Sequence, residues 1–199
     1  NSAIYSMIRI EGSKMAKKKP ASAGDVINFW FEEIKPEQWW EKSTAFDKKI
    51  NSKFSDIYEK AAAGELFNWR YKPLSALAEI IILDQFPRNI FRDKKQSFAT
   101  DPLAVCLSQS AIEKGFDKDL TSHQRAFMYM PLMHSESEEI HKSAELLFSA
   151  PDMENYLKFE LMHKKIIDQF GRYPHRNKIL GRRSKKKEIE FLKTENSSF

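Results

Sequence analysis

The chain has 199 residues, of which 41% are hydrophobic, 13% aromatic and 31% charged, with a formal net charge of +5. That length suits one domain with a real core, and no apolar run approaches the ~20 residues of a membrane-spanning helix. The single cysteine, Cys106, excludes an internal disulfide framework, and with no secretory signal pattern it points to a soluble protein of a reducing, cytoplasmic compartment.

Met15-Ala16-Lys17-Lys18-Lys19 reads as a translation start. Residues 1–14 are then an upstream extension, a cloning remnant or a processed leader, and 1–24 form a flexible basic stretch outside the fold. Residues 25–31 open a short aromatic helix, stopped near Pro36, with Trp39 and Trp40 in a connecting turn. A long helix follows over 44–63, with Phe46, Ile50, Phe54, Ile57 and Ala61 on one face and Gly64 as its closing residue. Pro73 suits the first turn of a helix over 74–86 that is apolar nearly all round and so the most buried; Pro87 ends it. Thr100-Asp101-Pro102 starts the next helix and Gly115 closes it.

Thr121 with Gln124 makes a capping box, and Pro131 kinks or ends the helix that it opens. Ser135 with Glu138 is a second capping box, for a helix running to about 149. Pro151 begins a helix through Tyr156, Phe159, Met162, His163, Ile166 and Ile167 to Phe170, where Gly171 stops it. A short helix over 184–192 precedes a polar tail, 193–199. The reading is one all-α domain over 25–192, with seven or eight antiparallel helices and no strand.

Two strings stand out: Asp84-Gln85-Phe86-Pro87-Arg88-Asn89, and Gln169-Phe170-Gly171-Arg172-Tyr173-Pro174-His175-Arg176-Asn177. Both follow helices ending Asp-Gln-Phe, which suggests either a duplicated unit or a chance likeness of helix ends. A helix end leaves up to four carbonyls unpaired, and an arginine just past it can bond them and pair with a carboxylate one turn back. Arg88, Asn89, Arg176 and Asn177 can therefore be structural. Alternatively, Arg88, Arg172, His175 and Arg176 line a cleft, because guanidinium forks bind carboxylate or phosphate in bidentate fashion.

His134 and Glu136 flank a helix start, where they either act as acid and base or serve as local caps. His163 shares an apolar stripe; it is a core histidine unless Asp84, Asp101 or Glu136 lies near it in space. His123 and His141 look exposed, and Cys106 looks like a small core residue. There is no HExxH, no Cys/His metal spacing, no P-loop, no GxGxxG and no GxSxG, so neither metal nor cofactor is expected. Eight Lys/Arg and no acid between Arg172 and Lys187 raise nucleic-acid binding as a weaker reading beside a solvated basic face.

Phe29-Trp30-Phe31, Trp39-Trp40, Phe46-Asp47, Gly64-Glu65-Leu66 with Trp69, the first Arg–Asn string through Arg92, Pro131-Leu132-Met133-His134-Ser135-Glu136 and the second string through Arg182 occur in that order. Together, over about 25–192, they resemble the bacterial family known as "domain of unknown function 924". The resemblance implies a tetratricopeptide-like fold of stacked antiparallel helix pairs and no settled activity. The family's polar motif positions correspond here to Asp84, Arg88, Asn89, His134, Glu136, His163, Arg172, His175, Arg176 and Asn177. The expectation is a module that accepts a peptide carboxylate or a small anionic ligand through Arg88, Asn89, Arg172, His175, Arg176 and Asn177. The alternative is a metal-independent enzyme drawing its acid and base from His134, Glu136, His163 and Asp84.

Overall fold

The computed structural model describes residues 19–195 and Ser197. The flexibility expected of 1–24 concerns residues that, up to Lys18, lie outside the described ones. Among the described residues the chain is all helix and no strand. The α-helical segments are α1 (Ala23–Asn28), α2 (Thr44–Ala62), α3 (Pro73–Asp84), α4 (Phe86–Ile90), α5 (Asp101–Glu113), α6 (Ser122–Met133), α7 (Glu138–Phe148), α8 (Glu154–Phe170) and α9 (Lys186–Phe191). No helix of these residues is long and apolar enough to cross a membrane.

Helix α3 is the axis of the fold. Every residue from Ala76 to Asp84 is buried, and α1, α2, α5 and α6 pack around it. Its one charge on the apolar stretch, Glu79, is fully buried and held by a fork from Arg70, at 2.8 Å from Nε and 2.7 Å from Nη2. Helix α1 begins on a capping box between Ser22 and Asp25 and widens into a π-helical turn, Phe29–Glu33. Within that turn the consecutive rings of Phe29 and Trp30 both face inward. They join Phe54, Phe86 and Phe127 in edge and stacked contacts with centroids 4.8–5.6 Å apart, a range that favours aromatic pairs.

The apolar helix ends at Asp84, a little before the expected Phe86, because Pro87 has no N–H to offer the Leu83 carbonyl. Gln85 keeps a right-handed helical backbone, and Pro87 falls in the first turn of α4, where its missing N–H costs least. The carbonyls left unpaired at this break find side chains. Thr100 Oγ1 donates to the Leu83 carbonyl at 2.6 Å, and Arg88 Nη1 donates to that of Asp84. Pro131 likewise sits inside α6, which runs on to Met133. Ser135 is not the cap of α7: Ser137 holds that position without a side-chain hydrogen bond, and Glu136 precedes the helix. His141 is fully buried rather than exposed, because α8 packs on α7 and supplies Glu160 as its partner. Cys106 is exposed, on the outer side of α5.

Gly171 ends α8 in the left-handed conformation, φ 67°, with nothing near the place a Cβ would occupy. Gly171→Ala therefore meets only the backbone penalty, and chemical denaturation should show a loss of about 1 kcal/mol.

Candidate functional site

Five helical segments bring the two Arg–Asn strings to one place. The end of α3 contributes Asp84, α4 contributes Arg88, the first residue of α5 is Asp101, the cap of α6 is His134, and the turn after α8 carries Tyr173, His175 and Arg176. Asp101 is the meeting point. Its Oδ1 lies 3.0 Å from Arg88 Nη1, and its Oδ2 lies 3.1 Å from Arg88 Nη2 and 3.2 Å from Arg176 Nη1. The Arg176 guanidinium is sandwiched between the rings of Phe98 and Tyr173, at 4.5 and 4.6 Å from their centroids. A buried cation gains on such faces part of what it loses in hydration.

The two arginines cap different helices. Arg88 turns back on the carbonyl of its own preceding helix, α3. Arg176 crosses to α6 and donates from Nη2 to the His134 carbonyl at 3.1 Å, while Tyr173 donates its hydroxyl to the Met133 carbonyl at 2.6 Å. The likeness of the two strings is therefore local: Asp84 is fully buried, whereas its counterpart Asp168 is exposed and pairs with Lys164.

Behind Asp101 lies a carboxylate–imidazole pair. His134 Nδ1 is 2.8 and 3.0 Å from the two oxygens of Asp84, which also takes a hydrogen bond from Gln85 Nε2 at 2.5 Å. Burial pushes the Asp84 carboxyl up, but the His134 and Arg88 charges and the hydrogen bonds outweigh it and hold its pKa below the usual range. Burial lowers the His134 pKa, against the pull of Asp84. At neutral pH the pair is thus an ionised Asp84 accepting from Nδ1–H of a neutral His134. The ring leaves Nε2 as its acceptor, and no described residue is hydrogen bonded there.

One more histidine borders the pair, and another stands against Tyr173. The His163 ring lies 6.3 Å from that of His134, and its Nδ1 is 2.7 Å from the Phe159 carbonyl. The His175 ring lies 5.6 Å from Tyr173. Burial, then the neighbouring His134, brings the His163 pKa down to about 3; burial, then Arg176, brings that of His175 down to about 4.

The remaining residues singled out in the sequence are engaged elsewhere. Asn89 donates to Asp47 at 2.8 Å, beside the fork of Arg92 on the same carboxylate. Arg172 forks onto Glu188 at 2.7 and 2.9 Å. Asn177 donates to Ser184 and accepts from Arg182, which forks onto Glu136 at 2.6 and 2.9 Å. Glu136 is thereby a structural tie to the second loop and takes the Tyr173 N–H at 2.7 Å. Three of the eight cations between Arg172 and Lys187, namely Arg172, Arg176 and Arg182, are neutralised by acids distant in sequence. That leaves a smaller basic face than the bare string implies.

Sequence reasoning missed Asp101 as the centre of the cluster, because Thr-Asp-Pro is also a common helix start. The tie from Arg182 to Glu136 was marked only by the place of both residues in the family strings. Among the described residues no group of three or more His, Cys, Asp or Glu is arranged to hold a metal ion.

The comparisons with known proteins agree with the fold. The solved structure of a protein of unknown function from Agrobacterium tumefaciens, ATU0120, superimposes with a TM-score of 0.82 at 37% identity, covering 86% of this chain and 96% of that one. No functionally curated protein matches the chain. Residues 26–196 match the family model described as bacterial protein of unknown function, DUF924, and the chain belongs to that family.

Proposed function

We propose that the protein is a ligand-binding module whose site is the Arg88–Asp101–Arg176 cluster with its rim of His134 and His175, and that it accepts a small carboxylate or phosphate. The observation that carries this reading is the convergence of the two guanidinium groups on the single carboxylate of Asp101. Arg88 and His134 keep 22% and 16% of their side chains exposed there.

The charges balance while His134 is neutral, with Arg88 and Arg176 set against Asp84 and Asp101. An arriving anion upsets that balance and favours a proton on His134. Binding is therefore expected to draw in a proton and to tighten as pH falls from 8 to 6. Titration calorimetry with butyrate and with inorganic phosphate, in two buffers of different ionisation enthalpy, measures that uptake. Heats that do not depend on the buffer, or no binding of either anion, would reject the proposal. Asn89, Arg172 and Asn177 belong to this reading only as residues that hold the two loops in place.

The Asp84–His134 pair favours a second reading, an acid–base enzyme in which Asp84 orients His134 and Nε2 exchanges the proton with a small anionic substrate. Nitrogen-15 shifts of the His134 ring test its starting state. The reading requires a protonated Nδ1 and a bare Nε2 at neutral pH, and the opposite tautomer excludes it.

A further inference from the structure

Helices α7 and α8 pack on each other around a titratable pair that the candidate site does not use. His141 and Glu160 are both fully buried, and His141 Nδ1 lies 2.7 Å from Glu160 Oε1. The other ring nitrogen, Nε2, lies 2.9 Å from the Ser135 carbonyl and 3.2 Å from the Tyr173 hydroxyl. One histidine thereby joins α7, α8, the turn before α7 and the turn after α8.

These contacts fix the number of protons that the pair holds. A carbonyl only accepts, so Nε2 carries a hydrogen. The Tyr173 hydroxyl donates to the Met133 carbonyl, which leaves its oxygen to accept from the same Nε2–H. A neutral imidazole with its hydrogen on Nε2 has a bare lone pair on Nδ1. An ionised Glu160 would set a second lone pair against it across 2.7 Å. One more proton therefore lies between Nδ1 and Oε1. Glu160 Oε2 is buried and takes no hydrogen bond among the described residues, so an ionised carboxylate would be poorly compensated there. Burial raises the Glu160 pKa, against the pull of His141 and Lys164 and with a push from Glu145.

The charges facing the pair are otherwise settled. On α8, burial keeps His163 neutral, and Lys164 pairs with Asp168. Burial also keeps the proton on Tyr173 in the second loop, while Glu136 in the turn before α7 is held by Arg182.

We infer that His141 and Glu160 form a clasp closed by one retained proton, which the folded chain holds at neutral pH and the unfolded chain does not. Between pH 7 and pH 8 an unfolded carboxylate is ionised and an unfolded imidazole is mostly neutral. Folding then takes up one proton at this pair, so the clasp contributes less as pH rises above about 6.5. Below that pH the unfolded imidazole takes up a proton as well, and the difference closes.

Glu160→Gln builds the same clasp without that proton, because a side-chain amide donates to Nδ1 at any pH. Urea denaturation at pH 7 and at pH 8 gives the folding constants of wild type and variant. Their ratio is expected to shift about tenfold in favour of the variant over that one unit, the effect of a single proton. A ratio that stays within about twofold overturns the clasp. The wild-type ring decides the matter even if the variant does not fold. Nitrogen-15 and proton spectra at pH 7 are expected to show two hydrogen-bonded protons at His141, one on Nε2 and one far downfield between Nδ1 and Oε1. A single proton on the ring's two bonds overturns the inference.

Discussion

Asp101→Ala is expected to be the most damaging single substitution in the cluster. It removes the carboxylate that two guanidinium groups share, and Arg176 keeps only 8% of its side chain in water. Breaking a buried pair by deleting one partner costs about 3–5 kcal/mol, because the remaining charge stays buried without compensation. At roughly 2–4 °C per kcal/mol for a domain of this size, the melting temperature should fall by about 6–20 °C. The damage has a specific remedy. In Asp101→Ala/Arg176→Met the stranded cation is gone and an apolar chain fills the slot between Phe98 and Tyr173. The double variant should therefore be more stable than the single one. A loss below about 1 kcal/mol in the single variant is what an exposed pair would give, and it would contradict the burial seen here.

Acid should weaken the fold well before its carboxylates titrate. An unfolded histidine takes up its proton near pH 6.5. In the fold, His163 and His175 resist protonation down to about pH 3 and about pH 4. Between those limits the unfolded state binds more protons, so stability falls as pH falls. Integrated from pH 6.5 to pH 5, the two rings together account for about 3 kcal/mol. His134, also lowered, acts in the same direction.

The ion-paired carboxylates Asp47, Asp84, Glu136 and Glu188 are all held low. Their contribution persists through this window and is lost only below the ordinary carboxylate range. Glu160 opposes the trend. Burial raises its pKa, so its share of stability grows on acidification, yet it is one group against three. Melting curves at pH 7, 6 and 5 should show a steep decline, and His163→Gln should flatten it. A flat profile from pH 7 to pH 5 would mean that these rings carry their protons inside the fold.

The helices were legible in the sequence because their signals are local. Glycines 64, 115 and 171 closed helices as read, each at positive φ, and the apolar stretch before Asp84 proved the most enclosed part of the chain. The failures came where a local signal has two meanings. A proline marks a helix end when it falls inside a turn and a helix start when it falls in the first one. Pro87 does both, since α3 ends before it and α4 begins around it, with Thr100 and Arg88 taking up the carbonyls at the break. His141 reads as a surface residue from its polar neighbours, and only the packing of α8 on α7 encloses it.

The site was half legible for the same reason. Arg88 and Arg176 announce themselves, but the spacing of residues 88, 101 and 176 carries no periodic trace of their meeting. Asn89, Arg172 and Asn177 stand in the same strings with the same chemistry, and nothing local tells that their partners are Asp47, Glu188 and Ser184 instead.

The crossing of Arg176 and Tyr173 onto the end of α6 bears on the order in which the protein can be made. When residue 170 has just emerged from the ribosome, the described helices α1 to α8 are all outside it. At that moment the carbonyls of Met133 and His134, the carboxylate of Glu136 and one side of Asp101 still lack the partners that residues 173–182 bring. The nascent chain therefore carries an open polar seam through the middle of its fold. Folding to the final state waits for residues 173–182, and a chain held back just short of them would have its earlier helices present but not yet fastened.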